Sequence, residues 1–259
     1  MIAALLIGRK GSVGFPGKNT YPVLGNPLSY YPMVAAKKAK LVDRVLISTD
    51  SPELMALARK NKVEVIERPA ELCTSKALGE DVFVHGYNEI KKMYGPVELI
   101  VLLHCNSATI DSDIINEGIK ILRKEKKYDS ATSVSKYNMW SPLRARKIGA
   151  DGLLHPFIPF EVFGDPSQLN CDRDSQGDVY FADMSISIVR PHCLEHIEDG
   201  LLPQKWMGKK IYPLIQDGAC DVDYEFQIAQ SEFWLKKYWK HGNLEVKNER
   251  LKSIHQRKK

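Results

Sequence analysis

The chain has 259 residues, 44% of them hydrophobic and 27% charged, the balance of a soluble globular protein with a sizeable core; no apolar run nears the roughly 18 to 20 residues of a membrane span. The net charge of +5 sits at one end, since residues 235–259 hold nine Lys/Arg against two Glu and leave the rest slightly acidic. That excess suits a solvated basic tail over 236–259 and not the spread, aromatic-laced basic face of a nucleic-acid binder.

The opening MIAALLIG has no basic residue ahead of its apolar stretch, so a first buried strand is expected over 2–8 in place of a signal peptide. NPLSYYPMVAAKKAK predicts a helix over 26–40, with Asn26 as N-cap and Pro27 at the first helical position. RVLIST predicts a strand over 44–49, and SPELMALARKNK a helix over 51–62 with Ser51 as cap. A short strand over 63–67, a helix over 77–93, a buried strand over 97–104, a helix over 111–126 and a strand over 130–135 continue the alternation. Near-continuous apolar strands separated by helices predict an α/β fold: a Rossmann-like, mainly parallel sheet with helices on both faces. From 137 the pattern changes to hairpin-like and turn-rich segments up to 180. Strand character returns over 178–190, a short helix follows at 191–198, then a strand at 209–215 and a helix at 226–239. One domain over 1–235 is expected, with 137–180 as an excursion. The five cysteines show no metal-ligand spacing and suit reduced thiols in a cytoplasmic protein.

In such sheets ligands sit beyond the carboxyl ends of the strands. The first of these ends is GRKGSVGFPGKN, with glycines at 11, 14 and 17 between Arg9 and Lys18. A Walker A loop fails here, because position 12 is Ser and position 19 is Asn, and the dinucleotide fingerprint fails on glycine spacing. What remains is either a backbone cradle for phosphate, with a guanidinium and an ammonium, or a glycine-rich surface turn. Near the other end, Asp221 and Asp223 stand two apart before a helix. They suit a hard cation such as Mg²⁺ shared with substrate phosphates, or simple decoration of a helix N-terminus. His104, at a strand end, could contact a substrate, act as a base or be a hydrogen-bonded edge residue. Asp50 could serve the site or cap the next helix.

GRKGSVGFPGKN resembles the A-R-x-x-S-K-G-x-P-x-K-N signature of the cytidylyltransferases that activate acidic sugars. The likeness continues through DRVLISTDSPELMALARKNKVEVIERPAEL and CDVDYEFQIAQ. It implies a Rossmann-like domain whose excursion dimerises and helps complete the partner's site. It also implies transfer of CMP from CTP to an acidic acceptor, such as a nonulosonic or octulosonic acid, with release of pyrophosphate. Arg9, Ser12 and Lys18 would hold the triphosphate, Arg9 and Lys18 acting catalytically. Asn19 would contact the ribose, and Ile7, Gly8, Arg68 and Ala77 would complete the nucleotide pocket. Asp221 and Asp223 would bind Mg²⁺. The acceptor side would comprise His104, Asn106, Ser107, Arg144, Arg173 and Asp183. Here the chain departs from the family pattern: LLHCNSATI stands for L-L-Q-P-T-S-P-L-R, and FADMSISI for R-P-N-G-A-I-Y-I, placing Phe181 at the Arg and Asp183 at the Asn. A family lysine in the first loop is Val13. The CTP half is thus kept and the acceptor half rewritten, leaving a phosphonate or phosphate acceptor, or a degenerate nucleotide-binding protein, as alternatives. The resemblance implies a homodimer acting on small molecules, while the confined basic charge and the short apolar runs predict no nucleic-acid and no membrane partner.

Overall fold

The computed structural model describes residues 1–11, 14–172, 177–242 and 244. Its elements in chain order are β1 (Ile2–Ile7), β2 (Pro22–Val23), β3 (Asn26–Pro27), α1 (Tyr30–Lys38), β4 (Arg44–Thr49), α2 (Pro52–Lys60), β5 (Glu64–Glu67) and α3 (Gly79–Tyr94). There follow β6 (Leu99–His104), α4 (Ser112–Lys124), β7 (Ser130–Lys136), β8 (Arg146–Ile148), β9 (Leu154–Pro156), β10 (Tyr180–Val189), α5 (His192–Glu195), β11 (Ile211–Gln216) and α6 (Gln227–Tyr238). Seven strands form one sheet in the order β11-β7-β10-β6-β1-β4-β5. All neighbours run parallel except β10, which is antiparallel to both β6 and β7.

The central strand shows why the sheet is sandwiched. Successive side chains of a strand point to opposite faces. Ile2, Ala4 and Leu6 of β1 pack with α1, α2 and α4 residues such as Met33, Leu54 and Ile119, whereas Ala3 and Leu5 pack with Phe83, Tyr87 and Ile90 of α3. Each fully buried Leu contributes about 1.5 to 3 kcal/mol, so a polar residue on either parity would be costly. A third cluster joins Val23, Leu28 and Tyr31 to Ala219, Val222, Trp234 and Leu235, clamping the segment before α6 against α1.

The structure corrects the start of the first helix. Asn26 and Pro27 are not its cap and first turn but the second strand of a small hairpin with β2. Leu24 and Gly25 both take positive φ, 45° and 87°, the geometry that a two-residue hairpin turn requires. The helix begins only at Tyr30. The excursion contains the β8–β9 hairpin and several single-turn helices. It leaves Trp140, Ile148, Leu154, Phe157 and Val162 largely exposed, Ile148 by 76%.

Candidate functional site

The carboxyl ends of β1, β4, β5 and β6 converge on one cleft because these strands are parallel neighbours. The cleft holds a cavity of about 320 Å³. Ile7, Leu72, Ala77, Leu78 and Val82 supply its apolar wall, and Arg9, Lys18 and Arg68 its cations. Gly8, Asn19, His104, Asn106 and Asp223 complete the described lining with Gly11 and Gly79. A smaller recess of about 190 Å³, lined by Arg9, Lys10, Lys18, Thr20 and Ser51 among others, shares the Arg9–Lys18 wall.

The first loop is held from several sides. Gly8 is required by close approach, since a Cβ there would lie 2.7 Å from Cys105 Sγ and 2.9 Å from Leu54 Cδ1. At Gly14 a Cβ would lie 3.0 Å from the Asp223 carbonyl, so the loop passes directly beside the acidic segment. Asp50 neither caps α2 nor lines the cavity: its Oδ1 accepts from the Lys10 backbone N–H at 2.7 Å, and Ser51 Oγ caps the helix by accepting from Leu54 N–H. Asn19 donates to the Arg9 carbonyl at 3.4 Å and accepts at its own carbonyl from Ser29 N–H at 3.0 Å, tying the loop to the start of α1. Arg68 is anchored by donating to the Ser48 carbonyl at 2.7 Å.

Lys18 and the acidic pair meet across the cleft. Lys18 Nζ lies 2.5 Å from Asp223 Oδ1, although 205 residues separate them in sequence. Asp221 stands just behind the lining, its Oδ2 accepting from Asn106 Nδ2 at 3.2 Å. Burial first, and then the neighbouring Asp223 charge, push the Asp221 carboxyl up to about 6. That crowding of two carboxylates beside a cavity lined by cations fits a divalent ion that would neutralise them. No group of three or more Cys, His, Asp or Glu among the described residues forms a metal cluster. The remaining ligands of such an ion would therefore be substrate phosphates and water, as Mg²⁺ prefers.

His104 closes the floor. Its ring packs edge-on against Phe83 at 5.3 Å and near Trp206 at 6.3 Å, and it bonds to the Met184 backbone. Burial pushes the imidazole down to about 4, so it is neutral at physiological pH and too weak a base to carry much proton transfer there.

The expected acceptor residues divide. His104 and Asn106 line the cavity, but both hydrogen-bonding hydrogens of Asn106 are used, on Asp221 and on the Val222 carbonyl. Ser107 is fully buried and bonds to Ser185 and the Cys220 carbonyl. Asp183 is only 4% exposed and lies inside the sheet, because the strand register shifts between Ala182 and Ser187 and turns its carboxylate onto β7. Neither reaches the cavity lining, which departs from the acceptor role expected of them. Arg144 is on the excursion, donating to the Cys171 carbonyl, and borders a separate groove. Ser12 and Arg173 lie outside the described residues, as does the basic tail from 245 onward. Sequence reasoning missed Leu72, Leu78 and Val82, whose apolar character cannot be told from core packing before the fold is known.

A cytidylyltransferase family model matches residues 3–148. N-acylneuraminate cytidylyltransferase of Escherichia coli O18:K1:H7 (strain RS218) is 31% identical over 137 residues, 53% of this chain and 32% of that protein. N-acylneuraminate cytidylyltransferase A of Danio rerio is 27% identical over 234 residues, 88% of this chain and 50% of its own length. The chain thus spans a third to a half of these relatives. Among solved structures, a CMP:2-keto-3-deoxy-manno-octonic acid synthetase complexed with CTP superposes with a TM-score of 0.64, covering 91% of this chain and 98% of that one. At 13% identity the superposition speaks for the fold alone. With more than half of the chain matched by the family model, and the mainly parallel sheet shared, this chain belongs to the cytidylyltransferase family.

Proposed function

We propose that the chain transfers CMP from CTP to an acidic sugar of the nonulosonic or octulosonic type, releasing pyrophosphate. The observation that carries the reading is the cavity itself. Ile7, Ala77 and Val82 form an apolar wall that would face a base, Arg9 and Lys18 supply cations for the phosphates, and Asp223 stands opposite Lys18 with Asp221 behind it. The triphosphate tail would extend toward the adjoining recess past Arg9 and Lys18.

Mg²⁺ held by Asp221 and Asp223 would neutralise phosphate charge and polarise the α-phosphate. The chain's own groups do the remaining work. Arg9 offers a planar fork to phosphate oxygens. Lys18, released from Asp223, meets the negative charge that builds on the departing pyrophosphate. The tight packing around Gly8 fixes the point where the chain leaves β1 toward Arg9, so that side chain would be positioned before reaction and little entropy lost at the barrier.

Residues 1–235 would act as one nucleotidyltransferase unit that also takes in the end of α6, Trp239 packed on Tyr31 and Lys240 paired with Asp113, with the basic tail appended beyond them. The exposed apolar residues of the excursion support a homodimer, in which Arg144 would reach the acceptor end of the partner's cleft. Such a contact would supply positive charge where Ile110 is buried in the core and Phe181 packs on Tyr137. None of the helices among the described residues is long and apolar enough to cross a membrane, and we place the reaction in the cytoplasm, where CTP is made.

The test is pyrophosphate release with Mg²⁺ across CTP, UTP, GTP and ATP, each with a panel of acidic sugars, phosphonates and phosphates. Turnover with CTP and an acidic sugar is expected. Failure of CTP with every acceptor would overturn the reading.

A further inference from the structure

Asp183, 4% exposed, is the most deeply buried carboxylate among the described residues that the reaction scheme leaves without a task. Four donors surround it: Ser133 Oγ at 2.5 Å, Ser135 Oγ at 2.9 Å, Gln216 Nε2 at 3.1 Å and the Ser185 N–H at 3.1 Å. They come from β7, β11 and the bulge of β10, so one side chain gathers three strands. Burying a carboxylate is costly unless donors replace its water, and four donors do so here.

Those donors lead to the acidic pair. A carboxylate can only accept, so the Ser135 hydroxyl hydrogen is committed to Asp183, and its lone pair accepts from Ala219 N–H at 3.1 Å. From the same bulge, Ser185 Oγ meets Ser107 Oγ and Thr109 Oγ1, each at 3.0 Å. Thr109 Oγ1 in turn accepts from Cys220 N–H at 2.9 Å and donates to the Cys220 carbonyl at 2.8 Å. Asn106, adjacent to Ser107 in sequence, accepts at its backbone carbonyl from Val222 N–H at 2.9 Å and donates from Nδ2 to Asp221 at 3.2 Å. Residues 219 to 222 are therefore suspended from polar groups rooted in the sheet interior, with Asp221 among them and Asp223 next in line, its N–H donating to Gln227 Oε1 at 2.8 Å.

We propose that Asp183 is a positioning residue: by fixing Ser135 and the β10 bulge it sets the placement of Asp221 and Asp223, and so the affinity of the site for a divalent cation. This rests on the assignment of Asp221 and Asp223 as the cation-binding pair. It gives the residue that stands at the family's Asn a different task, behind the site and not in it.

The experiment titrates Mn²⁺ into the full chain in the presence of CTP, read by calorimetry and by electron paramagnetic resonance. Ser135→Ala carries the test, because it cuts the link from Asp183 to Ala219 with little loss of volume. Asp183→Asn keeps the volume and half of the acceptor capacity. Thr132→Val is the control, since Thr132 sits on the same strand with a buried hydroxyl that has no partner among the described residues. Ser135→Ala should weaken Mn²⁺ binding roughly tenfold, as loss of a group supporting a metal ligand does. Asp183→Asn should fall between it and wild type, and Thr132→Val within twofold of wild type. Unchanged Mn²⁺ affinity in Ser135→Ala and Asp183→Asn, or an equal loss in Thr132→Val, overturns the positioning role. Should wild type and Asp223→Asn take up Mn²⁺ alike, the cation-pair assignment fails first, and that outcome is distinct from the other two.

Discussion

Replacing His104 by Gln should flatten the acid limb of the stability profile. The folded imidazole is pushed down to about 4 by burial against Phe83 and Trp206, only partly offset by its bond to the Met184 backbone. In the unfolded chain a His titrates near 6.5. Between these values the unfolded state binds the extra proton, so stability is full above about 6.5 and is lost as pH falls through about 4. At pH 4.5 the loss from this one group is about 2.5 kcal/mol, somewhat less because the ring keeps an exposed edge toward the cavity. Urea unfolding of wild type and His104→Gln at pH 7.5 and 4.5 isolates the effect. The variant loses packing and a hydrogen bond at both pH values, and only the difference between the two pH values reports the imidazole. Wild type should lose about 2 to 2.5 kcal/mol more than the variant on acidification. An equal loss in both proteins would refute the picture of a ring buried in its neutral form.

Asp223→Asn should abolish pyrophosphate release while leaving the circular dichroism spectrum unchanged, because the side chain is exposed and supports no strand; undiminished turnover would remove it from the cation site. Gly8→Ala should cost about 1 to 3 kcal/mol in thermal unfolding, since the new methyl overlaps Cys105 and Leu54. A variant as stable as wild type would show that the loop has room to shift. Ile148→Glu, at a 76% exposed position of the β8–β9 hairpin, should convert dimer to monomer in light scattering with unfolding free energy within about 0.5 kcal/mol. A variant of unchanged mass would place the subunit contact elsewhere.

Much of the sheet is legible in the chain itself. The apolar runs at 2–8 and 44–49 emerge as β1 (Ile2–Ile7) and β4 (Arg44–Thr49), because a parallel strand covered on both faces is apolar over most of its length, Val45 to Ile47 in β4. The candidate phosphate loop is legible for a related reason. Its glycines and its Arg9 and Lys18 follow directly on β1, and strand ends in such a sheet face the ligand. The hairpin at Asn26 was hidden, since Asn-Pro before an apolar run also describes a helix start, and only the positive φ of Leu24 and Gly25 decides between them.

The sequence by itself determined the alternation of strand and helix, the end of the sheet where the candidate site lies, and the residue types that meet there, since local spacing carries all three. Tertiary structure alone decided that Lys18 meets Asp223, that Asp50 holds the loop and caps nothing, and that Asp183 and Ser107 turn away from the cavity. The physical reason is that a side chain's direction depends on register and on long-range partners. The shift between Ala182 and Ser187 changes which face Asp183 addresses, and no local pattern marks it.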